Sequence, residues 1–239
     1  ALEQADKLKI DFVHHVSYEL RSPLTNIIGF AHFLGDPVTG PLTEKQREYL
    51  SYITVSTNAL LAIINNILDL ASIDAGAMTL NLGPVDIRRT MEAAAEGVQD
   101  RLVKSGIKLD IRAAADIGRF TADERRVRQA LFNLLANAVG FSPPGETVTL
   151  SAQRLRDEVV FSVTDRGPGI PAEVQDKVFD WFETNSLGSH HRGTGLGLSL
   201  VRSFVELHGG TVALESAVGR GTTVTCVFPV EQGARRTAA

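Results

Sequence analysis

The chain is 239 residues long, with 44% hydrophobic and 22% charged side chains, a balance that suits one large or two modest folded domains and excludes wholesale disorder and a collagen-like repeat. Its 24 basic and 28 acidic side chains leave a net charge of -4, which gives no electrostatic footprint for gripping a phosphate backbone and disfavours nucleic-acid binding. The single Cys226 rules out an intrachain disulfide, and Cys/His metal spacing is absent, so a reducing cytoplasm fits. No uninterrupted apolar run reaches the roughly 18 residues of a membrane span, and the start ALEQADKLKI lacks a signal pattern, so this stretch is expected to make no direct membrane contact.

In chain order, an apolar seam runs Val13, Val16, Leu20, Pro23, Ile27, Phe30, Leu34, alternating three and four residues as in a helix packed in a bundle. A second seam runs Leu50, Ile53, Thr57, Leu60, Ile64, Ile67, Ala71, and the intervening GDPVTGPLT is a Pro/Gly-rich turn with Thr43 placed as a helix cap. Residues 1–77 therefore read as an antiparallel all-α hairpin. Two helices cannot close a core alone, so a homodimer forming a four-helix bundle completes it; packing of the hairpin on the rest of the chain is the alternative.

After DAGAM the pattern changes, and residues 78–231 read as an α+β two-layer sandwich. A helix capped by Asp86 is predicted to about residue 104, then a strand IKLDI and a helix from Asp123 to about 140. Strands at about 146–154 and 158–165 follow, then a Gly-rich stretch, a helix ending at His208, and the strands TVALES and TTVTCVF. The tail 232–239 has little apolar content and is expected to be disordered.

Several features of this second domain point to a ligand. Asn133 and Asn137 stand four apart on one helix flank, where carboxamides can hold Mg²⁺ or phosphate. In EVVFSVTD the residues Val159, Phe161, Val163 and Asp165 share one strand face, so the carboxylate continues an apolar row and needs a donor. Gly167 and Gly169 follow it. Gly193, Gly195 and Gly197 precede a helix whose first N–H groups would suit phosphates, with the polar ETNSLGSHHR before them as a candidate lid. Gly219 and Gly221 precede Thr222 in GRGTT. Each feature alone is weak; an ordinary Gly-Pro turn or a solvated asparagine pair explains it as well.

Their order is the informative part. Asn-x-x-x-Asn, Asp-x-Gly-x-Gly, Phe-x-x-Phe, Gly-x-Gly-x-Gly and Gly-x-Gly-Thr in sequence resemble the Bergerat or GHKL nucleotide-binding domain of histidine kinases, gyrases and MutL-type ATPases. The resemblance implies ATP and Mg²⁺ as cofactors, Asp165 as acceptor from the adenine amino group and Asn137 as the Mg²⁺ ligand. Asn133, Gly167, Gly169, Gly193, Gly195, Gly197 and Thr222 would flank the nucleotide. Asn133 stands where the gyrase-like branch has a water-activating Glu, which argues against an ATP hydrolase.

The front of the chain selects among these relatives. FVHHVSYELRSPLTNIIGF at 12–30 resembles the phosphoacceptor box of the histidine kinases, F-V-A-N-V-S-H-E-L-R-T-P-L-T, with Pro23 at the family's kink position. Tyr18 stands where the family has its phosphorylated His. Imidazole forms an energetic phosphoramidate that can charge an Asp; a phenol of pKa about 10 is mostly protonated near neutrality, and its phosphate ester is a poor donor. The resemblance therefore implies a non-orthodox, pseudokinase-like sensor-kinase homologue whose candidate catalytic set is Tyr18, Glu19 and Ser22. Glu19 matches the family's base, and Glu19 with Ser22 is a weakened match to its phosphatase pattern.

Whether the chain is an enzyme is left open between a regulator-binding module, a tyrosine autokinase and a phosphatase. Homologues with Tyr at this position imply a role in bacterial cell-cycle control. Their implied partners are a single-domain response regulator of the DivK type and a second sensor kinase of the CckA type. Gly140 replaces a usual cation, and Trp181 a usual polar residue. His14 and His15 read as surface histidines rather than substitute acceptors, His190 and His191 as loop residues, and His208 as a helix-end interaction.

Overall fold

A computed structural model describes residues 2–181 and 195–231, with side chains from His15 onward. Two compact units divide the chain at Met78 and Thr79. The expected lid at 183–192, with His190 and His191, lies outside the described residues, as do Gly193, Phe182 and the tail 232–239. The side chain of His14 does too.

The first unit is a helical hairpin of α1 (Leu2–Gly35) and α2 (Glu44–Asp74), joined through a 3₁₀ turn at Pro37–Thr39. Helix α1 runs on through Pro23, which has no N–H to give the ladder. Helix α2 starts at a reciprocal capping box: the Thr43 hydroxyl accepts from the Gln46 N–H at 3.2 Å, and Gln46 Oε1 accepts from the Thr43 N–H at 2.8 Å. The buried row on α1 is Ser17, Leu24 and Ala31, matched on α2 by Thr57 and Ile64. Thr57 and Ile64 belong to the expected α2 seam, whereas the buried α1 row is offset by one residue from the expected one. Leu20, Ile27, Phe30 and Leu34 of α1 and Ile53 and Leu60 of α2 stay exposed. By length and composition α2 could also cross a membrane, contrary to expectation, because its polar breaks are Ser, Thr and Asn more than charges.

The second unit holds a five-stranded sheet in the order β2 (Lys108–Arg112), β4 (Thr147–Arg154), β5 (Glu158–Thr164), β7 (Gly221–Pro229), β6 (Thr211–Ala217). Among the described residues only β2 and β4 pair in parallel. One sheet face is apolar: Val148, Leu150 and Ala152, then Val159, Phe161 and Val163, then Val224, Cys226 and Phe228 are all buried. The other face pairs hydroxyls across strands, Ser162 with Thr225 at 3.1 Å and Thr164 with Thr223 at 3.0 Å. One apolar face requires one helical layer, which α3 (Ile87–Glu96), α5 (Glu124–Phe141) and α7 (Gly197–Leu207) provide.

Two features were not expected. The helix foreseen from Asp86 to about 104 breaks into α3 and α4 (Gln99–Ser105) at Gly97, where a β-carbon would stand 2.9 Å from Cδ2 of Phe132. Two four-residue strands, β1 (Gly83–Asp86) and β3 (Arg119–Ala122), form a separate antiparallel pair. Phe120 of β3 joins Phe161 and Phe228 in an aromatic cluster with centroids 5.8–6.0 Å apart. His208, the C-cap of α7, makes the expected helix-end interaction and is fully buried against Phe228. Its Nδ1 faces the Phe204 carbonyl at 2.7 Å, and its Nε2 accepts from the Asp123 N–H at 3.0 Å.

Candidate functional site

Strand β5 delivers Asp165 as its period-two pattern dictates, one step beyond the buried Val163. The carboxylate is buried, and its Oδ1 accepts two backbone N–H groups, from Gly167 at 2.8 Å and Thr222 at 3.1 Å. Among the described residues no donor reaches Oδ2. Burial pushes the Asp165 carboxyl above its ordinary value of 3.8, while the Gly167 and Thr222 N–H groups pull it part of the way back. The result is a carboxylate fixed on one side and still able to accept a hydrogen bond on the other.

The glycines around it are there because backbone passes where side chains cannot. Gly169 has φ +72°, and a β-carbon there would collide with the Ala217 carbonyl; at Gly221, φ +88°, it would collide with the carbonyl of Asp165 itself. At Gly167 it would stand 2.9 Å from both Asp165 Oδ1 and the Phe141 carbonyl at the end of α5. The turn after β5 therefore sits against two others, the β6–β7 turn and the α5 terminus. The Gly219 N–H closes the first contact by donating to the Pro168 carbonyl at 2.7 Å.

Helix α5 also carries Asn133 and Asn137, both half-buried. Each lies within contact distance of Gly197, the first residue of α7: a β-carbon built there would be 3.6 Å from Asn137 Nδ2 and 4.0 Å from Asn133 Cβ. Asn133 Nδ2 points to the Gly197 carbonyl at 3.5 Å. So the asparagine pair meets the opening turn of α7, where glycine leaves the backbone N–H groups uncovered. Gly195, just before it, has φ +67°. Asp165, Gly167, Gly169 and Thr222 thus form one cluster, Asn133, Asn137, Gly195 and Gly197 a second, and α5 borders both. Among the described residues no three His, Cys, Asp or Glu side chains converge on a metal site.

Sequence reasoning passed over Ser216 and Gln175. Ser216 Oγ accepts the Ile170 N–H at 2.8 Å and lies 2.8 Å from Thr222 Oγ1. Gln175 Nε2 donates to the carbonyls of Ile170 and Ser216 at 2.7 and 3.0 Å. No motif flags a serine in a strand.

In the hairpin unit, Tyr18, Glu19 and Ser22 are all exposed on α1, Tyr18 at 70%. One turn on, Arg21 Nη2 donates to Asn65 Oδ1 of α2 at 2.8 Å. Gly140 is half-buried near the end of α5, and Trp181 is exposed.

Residues 8–76 match the family described as His Kinase A (phospho-acceptor) domain, and residues 122–232 the family described as Histidine kinase-, DNA gyrase B-, and HSP90-like ATPase. The sensor protein DivL of Caulobacter vibrioides is 41% identical over 97% of the chain, which covers 29% of that protein. The circadian input-output histidine kinase CikA of Synechococcus elongatus is 41% identical over 95% of the chain and 31% of its own length. The cell-division control histidine kinase PdhS of Brucella ovis is 33% identical over 95% of the chain and 23% of its own length. The chain thus spans less than a third of these curated relatives. Among solved structures, full-length ShkA in complex with AMPPNP superposes with a TM-score of 0.77 at 32% identity, over 94% of this chain and 46% of that one.

Proposed function

The chain belongs to the histidine-kinase-like proteins, with a His Kinase A hairpin followed by an ATPase domain of the GHKL type, and from that premise we propose that it is a dimeric, ATP-binding signalling module that engages a response regulator without donating phosphate from Tyr18. The observation that carries the reading is Tyr18 itself: an exposed phenol, within the hairpin matched to the phosphoacceptor family, where the phosphoacceptor box has histidine. A phenyl phosphate is too stable an ester to charge an aspartate, whereas a phosphoramidate is not.

The residues present fit a nucleotide. Asp165 Oδ2 is the acceptor left for the adenine amino group, the glycines at 167, 169 and 221 keep side chains out of the turns around it, and Thr222 lies beside it. Asn137 is the residue that would hold Mg²⁺, and Asn133, Gly195 and Gly197 are the described residues that would lie beside the phosphates. The ATPase family and the AMPPNP complex of the ShkA relative support ATP as the ligand. Bound ATP supplies a transferable γ-phosphoryl group. The missing cation at Gly140 weakens the grip on the phosphates.

The exposed seam of Leu20, Ile27, Phe30, Ile53 and Leu60 supports a homodimer that buries it in a four-helix bundle. The partners on this reading are a single-domain response regulator of the DivK type and a second sensor kinase of the CckA type, in the cytoplasm, within a phosphorelay of the cell cycle. The cell-division relative supports that process; the circadian relative, which is no less similar than DivL, makes direct binding to purified regulators the deciding test.

One alternative has its own observation. Tyr18 is exposed with Glu19 beside it, which suits a tyrosine autokinase. Incubation with γ-labelled ATP separates the two readings: the scaffold reading expects no stable label. Acid-resistant label on the wild type that is lost in Tyr18→Phe would replace it with the autokinase. Glu19 and Ser22 are also exposed, and timing phosphate loss from a phosphorylated regulator tests a phosphatase role.

A further inference from the structure

We infer that Ser216 is a positioning residue for base recognition, holding the turn after β5 and the start of β7 together so that Asp165 can discriminate the base. The inference rests on the nucleotide reading above and deepens it. A serine hydroxyl has one proton and two lone pairs, and at Ser216 all three have partners. Its Oγ accepts the Ile170 N–H at 2.8 Å, lies 3.0 Å from the Gly221 carbonyl and lies 2.8 Å from Thr222 Oγ1. Donation to the Gly221 carbonyl, with the second lone pair accepting from Thr222, satisfies every group at once. Gln175 Nε2 reinforces the junction from α6 (Ala172–Gln175) by bonding the carbonyls of Ile170 and Ser216.

The consequence reaches the carboxylate through two further bonds. Ser216 and Thr222 are direct cross-strand partners in the β6–β7 register. The Thr222 N–H holds Asp165 Oδ1 at 3.1 Å, while the Asp165 N–H donates back to the Thr222 carbonyl at 2.9 Å. Fixing Thr222 therefore fixes the orientation of Oδ2. Without the Ser216 hydroxyl, the Ile170 N–H and the Gly221 carbonyl lose a shared partner and the two turns can part.

The test compares binding of ATP and ITP, which differ by the exocyclic amino group that Asp165 would accept from. The intact chain should prefer ATP. In Ser216→Ala the affinity for ATP should fall about tenfold while that for ITP stays within about twofold, because ITP has a carbonyl oxygen in place of the exocyclic amino group that Asp165 would accept from. Ser216→Thr, which keeps the hydroxyl, should restore ATP binding to within about threefold. Gln175→Ala, on a surface helix, should narrow the ATP preference in the same direction without lowering the melting temperature. Unchanged ATP affinity in Ser216→Ala, an equal loss for both nucleotides, or failure of the Thr variant to rescue would each overturn the inference. Wild-type chain that binds neither nucleotide would overturn the nucleotide reading itself.

Discussion

At Asp165 two demands oppose each other. The strand pattern buries a carboxylate at the end of an apolar row, and burial raises its pKa above 3.8 despite two N–H donors. A carboxyl whose folded pKa is raised contributes stability that is complete below the unfolded value and is lost as pH rises through the folded one, so at neutral pH the ionised group weakens the fold. Asp165→Asn keeps an oxygen for both N–H groups and removes the charge. Calorimetry at pH 7 should show it melting at a higher temperature than wild type, while titration shows ATP binding lost, because an amide N–H would then face the adenine amino group. A lower melting temperature, or retained binding, contradicts this assignment.

His208 carries the opposite sign. Burial lowers its pKa from 6.5, outweighing the Phe204 carbonyl and the Asp123 charge, which act to raise it. Its depressed value means that the unfolded chain takes up a proton before the folded one does. Its contribution is therefore full above about pH 6.5 and falls as pH drops toward the lowered folded pKa. The Nε2 that would be protonated is the acceptor for the Asp123 N–H at the start of α5, while Asp123 also accepts from Asn81 and Arg126. Melting temperatures of wild type should drop more steeply than those of His208→Gln between pH 7 and 5; parallel slopes would show that the histidine takes up its proton equally in both states and that burial does not lower its pKa.

Among the elements, what was legible in the sequence was periodicity, and what was not was contact between turns. The rows Val159–Phe161–Val163–Asp165 and Val224–Cys226–Phe228 announce a sheet with one buried face, and the glycine boxes announce the turns that meet around Asp165. Strands β1 and β3 escaped because four residues, one strand containing Pro84, carry no alternation to count. The break at Gly97 escaped because the helical pattern runs through it, and Phe132, which would crowd any β-carbon there, lies 35 residues on. Ser216 escaped for the same reason: its partner Ile170 is 46 residues away. In the hairpin the three-and-four spacing was plain, but on α1 the buried row is Ser17, Leu24 and Ala31, one residue off the apolar row that the spacing picks out. The capping box was readable, and Thr43→Ala should lower the stability of the hairpin by about 1 kcal/mol in denaturant unfolding. No loss would mean that α2 frays at that end.

For the whole molecule, the apolar residues that the hairpin leaves exposed make a second copy the natural partner. Light scattering should give a dimer, and Ile27→Glu combined with Leu60→Glu should give a folded ATPase domain on a monomeric chain. A wild-type monomer, or a dimer that survives both charges, would move the subunit interface elsewhere. The central claim concerns phosphate: a nucleotide-binding chain with Tyr18 in the phosphoacceptor box should not feed a receiver. The direct measurement is to incubate the chain with γ-labelled ATP, Mg²⁺ and a response-regulator receiver, then assay the receiver for acid-labile aspartyl phosphate. The account predicts none above the level of receiver alone; label appearing on the receiver aspartate, dependent on the chain and on Tyr18, would contradict it.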